Sequence, residues 1–176
     1  PLADTIELPN FTQFKNESVS FLNHFSVTSP CGPARASLLT GQYAMNHRSV
    51  RNGTPLAHDT SNLATSLNSK GIEPLLYGYT DTSQDPRIYE QGDPILTSYE
   101  EVLNGFTEAQ EMRFDTNKSW KDYLMETNYK FDKLSEMFEP IDKKVNAPAQ
   151  YSAEDSDTAF LTDCLLDDLP KRKHGW

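Results

Sequence analysis

The run Cys31-Gly32-Pro33-Ala34-Arg35-Ala36-Ser37-Leu38-Leu39-Thr40-Gly41 sets a thiol at the mouth of a predicted helix with an arginine one turn behind it. Pro33 suits the first turn of a helix, where its fixed φ helps and its missing N–H is no loss, and Gly41 supplies the stop. Cys31 therefore sits at or just before a helix N-terminus. Free backbone N–H groups and the positive end of the helix dipole favour an anion there, and the Arg35 guanidinium adds a charged, bidentate donor. The pattern is a receptor for a tetrahedral oxyanion with a reactive side chain inside it.

Spacing narrows that chemistry. A cysteine phosphatase loop needs Cys-x5-Arg to wrap every phosphate oxygen, whereas three residues separate Cys31 from Arg35. Neither a second cysteine nor a paired histidine lies at metal-ligand spacing from Cys31.

Composition sets outer bounds. The 176 residues fit one domain, and 36% hydrophobic content is low, so long exposed connections or uncovered faces are expected. A net charge of −10 argues against a nucleic-acid partner, and the basic cluster Lys171-Arg172-Lys173-His174 is too short to reverse that. An anionic substrate would need local positive potential from Arg35, a helix terminus and a metal. The two cysteines, Cys31 and Cys164, give no disulfide framework, which leans towards a cytoplasmic protein. Cys164 lies on the apolar stripe of a late helix and reads as a small buried hydrophobe. No apolar run approaches the ~18 residues of a membrane span, and no signal peptide is evident.

The elements that position Cys31 follow from periodicity. Leu8, Phe11 and Phe14 predict a short helix, and Ser18-Val19-Ser20-Phe21-Leu22 a strand after it. Residues 41–53 form a connection holding His47, Arg48, Arg51 and Asn52, and with His58 the first two read as surface or turn residues. Leu63 and Leu67 predict a helix that stops at Gly71. Residues 72–79 then read as a strand covered on both faces, with Thr80-Asp81-Thr82-Ser83 at its C-terminal end, the edge where open α/β sheets bind ligands. Residues 84–117 read as an irregular excursion. Trp120 to Phe138 has helical spacing, and Ser152 opens a last helix with the stripe Phe160, Leu161, Cys164 and Leu165.

The stretch Cys31-x-Pro33-x-Arg35-x-x-Leu38-Leu39-Thr40-Gly41 closely resembles the signature of the type I sulfatases, in the alkaline phosphatase-like superfamily. Gly78-Tyr79-Thr80-Asp81-Thr82 and residues 45–56 look like the phosphonate monoester hydrolase branch, where a tyrosine replaces the lysine of many sulfatases. The resemblance implies an α/β fold, an alkaline phosphatase-like three-layer sandwich with a largely parallel sheet, present only as a fragment. Residues 1–176 would be part of one catalytic domain: 8–83 the nucleophile helix and flanking strands, 84–150 an irregular and helical excursion, 151–170 a helix. The first strand and the C-terminal half, with most metal ligands, would be absent, and Asp4 is no convincing substitute.

The resemblance also implies roles. Cys31, converted to formylglycine, would be the nucleophile and one ligand of a divalent cation, Ca²⁺ or Mn²⁺. As a hydrated aldehyde it would present one hydroxyl to attack sulfur or phosphorus and a second to release it. Arg35 would stabilise it, Asn52 and Tyr79 would bind the oxyanion, and Asp81 would line the pocket, where related enzymes can carry threonine. Tyr79 reads equally as a sheet residue with its hydroxyl at the rim. Asn52 also heads an Asn-x-Thr sequon, one of four with Asn10, Asn16 and Asn117, and a glycan there would block the site. The implied activity is hydrolysis of a sulfate ester, phosphodiester or phosphonate monoester. Its partners would be a small anionic ester and a formylglycine-generating or equivalent maturation enzyme, with no nucleic acid, no membrane, and a homo-oligomer left open. The rival is a non-catalytic module of the same fold that binds an anion or a partner through an unmodified Cys31.

Overall fold

The computed structural model describes residues 5–98, 100–113 and 117–172, so Asp4, Lys173 and His174 lie outside it. The elements run α1 Pro9–Asn16, α2 Cys31–Thr40, α3 Ala44–His47, α4 Leu63–Asn68, β1 Leu75–Tyr77, β2 Thr107–Gln110, α5 Lys118–Glu126 and α6 Asp157–Asp168. Short 3₁₀ turns punctuate the stretches between β1 and β2 and between α5 and α6. Among the described residues no helix is long and apolar enough to cross a membrane.

β1 and β2 pair in parallel, Leu75 opposite Thr107 and Leu76 opposite Glu108, with a register shift before Tyr77 meets Gln110. β2 falls inside the stretch expected to be irregular. Its sequence, Thr-Glu-Ala-Gln, carries no apolar alternation, and three of its four residues are exposed, so periodicity had nothing to detect. β1 is half-buried throughout rather than covered on both faces.

The expected strand at 18–22 does not form. Val19, Phe21 and Leu22 are about four-fifths exposed, and no described strand lies alongside to satisfy their backbone groups. The helix before it does form as α1, with no buried residue.

α4 is closed by its capping box: the Thr65 N–H donates to Asn62 Oδ1 at 3.1 Å and the Asn62 N–H to Thr65 Oγ1 at 3.0 Å. Asn62 Nδ2 also donates to the Asn104 carbonyl at 3.0 Å, which fixes the approach to β2. α6 is capped by Ser156, whose hydroxyl accepts from the Ala159 N–H, four residues later than the opening expected at Ser152. The acids at 154–155 instead form a 3₁₀ turn.

That turn belongs to the core. Met112, Trp120, Leu124, Phe131 and Met137 are buried together, with Tyr123, Tyr129, Tyr151, Phe160 and Leu161 against them. The Asp155 carboxylate accepts from the hydroxyls of Tyr123 (2.7 Å), Tyr129 (2.8 Å) and Ser152 (2.9 Å), while Trp120 Nε1 donates to its carbonyl at 2.8 Å. These bonds, Tyr123 foremost, hold the Asp155 carboxyl below the usual carboxylate range. Cys164 is half-buried beside Gln110, and burial pushes its thiol pKa up. Leu165 of the same stripe is exposed.

Stability is therefore concentrated in the α5–α6 half. Leu124→Ala should cost about 2–5 kcal/mol, read from urea unfolding. Phe14→Ala, which removes an exposed ring on α1, should shift the midpoint little, by less than ~0.5 kcal/mol.

Candidate active site

α2 begins at Cys31, with Pro30 at the N-cap and Pro33 in the first turn, and stops at Gly41 in the left-handed conformation (φ 68°). Pro30 offers no side-chain cap, so the orphan N–H groups of this helix start need outside acceptors. Asn52 supplies one: its Oδ1 accepts from the Gly32 N–H at 3.0 Å. The other end of the same amide, Nδ2, donates to Cys31 Sγ at 3.1 Å. One side chain thus caps the helix and holds the exposed thiol.

Gly32 makes this approach feasible. A Cβ built there would stand 3.0 Å from Asn52 Oδ1 and 3.2 Å from the Asp81 carbonyl. The position expected only to belong to a Cys-Gly-Pro turn is the contact point of three segments.

Arg35 lies one turn along α2 with its guanidinium 5.2 Å from the centroid of the Tyr79 ring. Burial, reinforced by the Glu100 and Asp81 carboxylates and opposed by Arg35, raises the Tyr79 pKa, so its hydroxyl remains a donor. Asp81 follows at φ 61°, a left-handed backbone that Asn and Asp tolerate best, and is 6% exposed. Cys31, Arg35, Asn52, Tyr79 and Asp81 are therefore brought to one place from three separate stretches of chain.

Polar staples hold the loops. Thr80 Oγ1 accepts from the Leu103 N–H at 2.8 Å and donates to the Glu101 carbonyl at 2.9 Å, and Thr82 pairs with Glu101 in an isolated antiparallel bridge. Arg113 ties Glu101 to Glu108 on β2. Asp85, 3% exposed, accepts from the His58 N–H at 3.0 Å, from the Arg87 N–H at 3.0 Å and from the Arg87 guanidinium. These bonds, with the Arg87 guanidinium foremost, hold the Asp85 carboxyl far below the usual carboxylate range. Sequence reasoning missed Asp85 and Arg87; the Asp-Pro-Arg order, which favours a tight turn with an Asx acceptor, was the available signal.

His47 corrects the surface expectation. It is 7% exposed, its Nδ1 accepts from the Ser49 N–H at 3.1 Å, and its Nε2 lies 2.9 Å from Ser37 Oγ. The first bond requires Nδ1 unprotonated, so Nε2 carries the proton and donates to Ser37. That polarity is the reverse of a base activating a serine. Arg48 and His58 are exposed, as expected.

Among the described residues no three His, Cys, Asp or Glu side chains cluster to hold a metal ion, so a divalent cation finds no complete site here. Cys31 does fit the aldehyde modification sterically, being exposed at the helix mouth.

The chain thus sets a parallel strand pair beside a helix mouth headed by Cys31 and backed by Arg35. The chain belongs to the sulfatase family, whose model matches residues 3–165. It is similar to the phosphonate monoester hydrolase SpPMH from Silicibacter pomeroyi, with a TM-score of 0.94 and 52% identity over 100% of this chain and 36% of that one. The phosphonate monoester hydrolase of Agrobacterium radiobacter superposes with a TM-score of 0.90 at 35% identity, over 97% of this chain and 34% of that one. A multifunctional alkaline phosphatase superfamily protein, PehA from Trinickia caryophylli, is 35% identical over 95% of this chain and 34% of its own length. The chain spans about a third of these relatives, in keeping with the expected fold as a fragment of an alkaline phosphatase-like sandwich.

Burial lowers the His47 pKa from its ordinary value of 6.5. The unfolded chain takes up a proton on this ring below that pH while the folded ring resists, so its contribution to stability is full above pH 6.5 and declines as pH falls towards the folded pKa. Urea midpoints should therefore drop between pH 7.5 and pH 5.5, and His47→Gln should flatten that interval. The loss from Asp85 arrives only in stronger acid, where its unfolded-state carboxyl protonates.

Proposed function

We propose that the protein carrying this chain hydrolyses a phosphonate monoester or a related phosphodiester or sulfate ester, with position 31 as its formylglycine nucleophile. The observation that carries this reading is the Asn52 amide, which caps α2 through Gly32 and turns its N–H towards the Cys31 side-chain head. When modified, position 31 supplies a hydrated aldehyde, with one hydroxyl to attack and another to expel the bound group.

The chain's own groups supply the rest. Asn52 Nδ2 orients the attacking atom in place of Sγ, the atom it now bonds. Arg35 and the positive end of α2 neutralise the developing negative charge, and the Tyr79 hydroxyl donates to an equatorial oxygen. A divalent cation, Ca²⁺ or Mn²⁺, belongs to the same proposal. Position 31 is the one residue of this chain assigned to it, and the maturation enzyme is the implied protein partner.

Protein made together with a formylglycine-generating enzyme should be lighter by about 18 Da, the difference between CH₂SH and CHO. Intact mass spectrometry reads this, and in the whole protein that carries this chain Cys31→Ala should abolish both the shift and turnover of an aryl phenylphosphonate. Asn52→Ala should lower kcat/KM by about 100-fold or more, and Tyr79→Phe by a smaller factor of about 10. An unmodified thiol with intact anion binding would favour the non-catalytic module instead.

A further inference from the structure

We propose that His47 is a positioning residue for this site: it clamps the loop at 48–54 to α2 and so holds the Asn52 amide at the head of position 31. The inference deepens the ester-hydrolase reading, because it assigns to a buried imidazole the placement of the group that orients the attacking atom.

α3 is a single turn that ends on His47, and the chain reverses at once through Arg48, whose left-handed backbone (φ 62°) lets its N–H donate to the Ala44 carbonyl. The imidazole is thereby left between two elements. Its Nε2 lies 2.9 Å from Ser37 Oγ on α2, and its Nδ1 accepts from the Ser49 N–H at 3.1 Å, at the start of the loop. The same Ser49 closes that loop, since its hydroxyl donates to the Thr54 carbonyl at 3.0 Å, while the Thr54 N–H donates to the Arg51 carbonyl at 3.0 Å. Asn52 sits inside this closed turn.

The loop therefore meets α2 at two places. Asn52 binds the Gly32 N–H at the helix start, and His47 binds Ser37 five residues further on, about 7.5 Å along the axis at 1.5 Å per residue. One contact would let the loop pivot about the Asn52 amide. Two separated contacts fix its orientation as well, and with it the direction of the Nδ2 N–H towards Cys31 Sγ. An imidazole suits the task because it is rigid and carries its acceptor and its donor on different edges of one ring. Ser37 and Ser49 are each 5% exposed and His47 is 7% exposed, so water does not replace these bonds cheaply when one is lost.

The first readout needs no turnover. In the whole protein that carries this chain, made without the maturation enzyme and kept in EDTA, position 31 stays a thiol. Iodoacetamide labelling at about pH 10, above the ordinary thiol range, then reports how freely Sγ is reached and how firmly a donor holds it. Peptide mass spectrometry separates Cys31 from Cys164, whose half-buried place on α6 makes it an internal reference for general loosening. Asn52→Ala should speed labelling of Cys31 about fivefold, and Ser37→Ala and His47→Gln should each approach that factor. Either one combined with Asn52→Ala should add less than about 1.5-fold, with Cys164 unchanged throughout. In the matured protein, Ser37→Ala and His47→Gln should each lower kcat for an aryl phenylphosphonate about tenfold and leave KM within about twofold. Labelling of Cys31 that neither substitution alters, effects that multiply with Asn52→Ala, Cys164 labelling that rises in parallel, or a loss carried by KM overturns the positioning role and leaves the ester-hydrolase reading standing. The expected labelling pattern with no turnover by the unsubstituted matured protein supports the clamp and overturns that reading instead.

Discussion

The arrangement depends on the Asn52 amide lodged between the Gly32 N–H and Cys31 Sγ. A helix start leaves N–H groups without intrahelical partners, and Pro30 brings no side chain to cap them. Leaving such a group buried and unpaired costs about 1–3 kcal/mol, so the helix mouth recruits a donor–acceptor side chain from elsewhere in the chain. An amide is suited to this because it can accept from the backbone on one atom and donate to the reactive head on the other. A carboxylate at position 52 would satisfy the helix but offer no donor to the Cys31 side chain.

That contact in turn requires the hydrogen of Gly32 in place of a side chain, and it requires two loops to converge on the start of α2, with only the scattered buried hydrophobic side chains of Ala36, Leu56, Ala64 and Leu103 in this half of the chain. The main cluster, around Trp120 and Leu124, gathers residues 112–161 and lies in the other half of the chain. The loops carrying Asn52, Tyr79 and Asp81 are held by polar staples at Asp85, Thr80 and Arg113. Directional bonds fix loop geometry more narrowly than apolar contact does, and they make the site's local stability separable from that of the core. His47 beneath α2 extends the same logic, since its fixed tautomer joins α2 to the turn that leads to Asn52.

The legible parts of the chain were those written in local chemistry. The Cys31 helix, its stop at Gly41, the Asn62-capped helix and the apolar run of β1 each carry their signal within a few residues. Asn52, Tyr79 and Asp81 could be placed near Cys31 through the resemblance of their motifs, although no spacing between them reports proximity. The missed features are relational. β2 has a polar sequence and is a strand because β1 lies beside it, whereas residues 18–22 have strand propensity but no described partner. His47 looks like a turn residue until Ser37 and Ser49 enclose it. Asp85 gains its meaning from His58, far away in sequence.

Electrostatics joins these observations to function. A chain of net charge −10 does not attract an anionic ester by its overall field, so the attraction must be made within a few ångströms of Cys31. The available sources are the start of α2, the Arg35 guanidinium and neutral donors on Asn52 and Tyr79. Burial and the surrounding carboxylates keep Tyr79 protonated, so the acids around it preserve the donor that the proposed function assigns to the oxyanion. Short-range donors of this kind discriminate by geometry, because their strength falls steeply once distance and angle are lost. On the proposed function, the site would recognise the shape of a tetrahedral oxyanion more than its total charge.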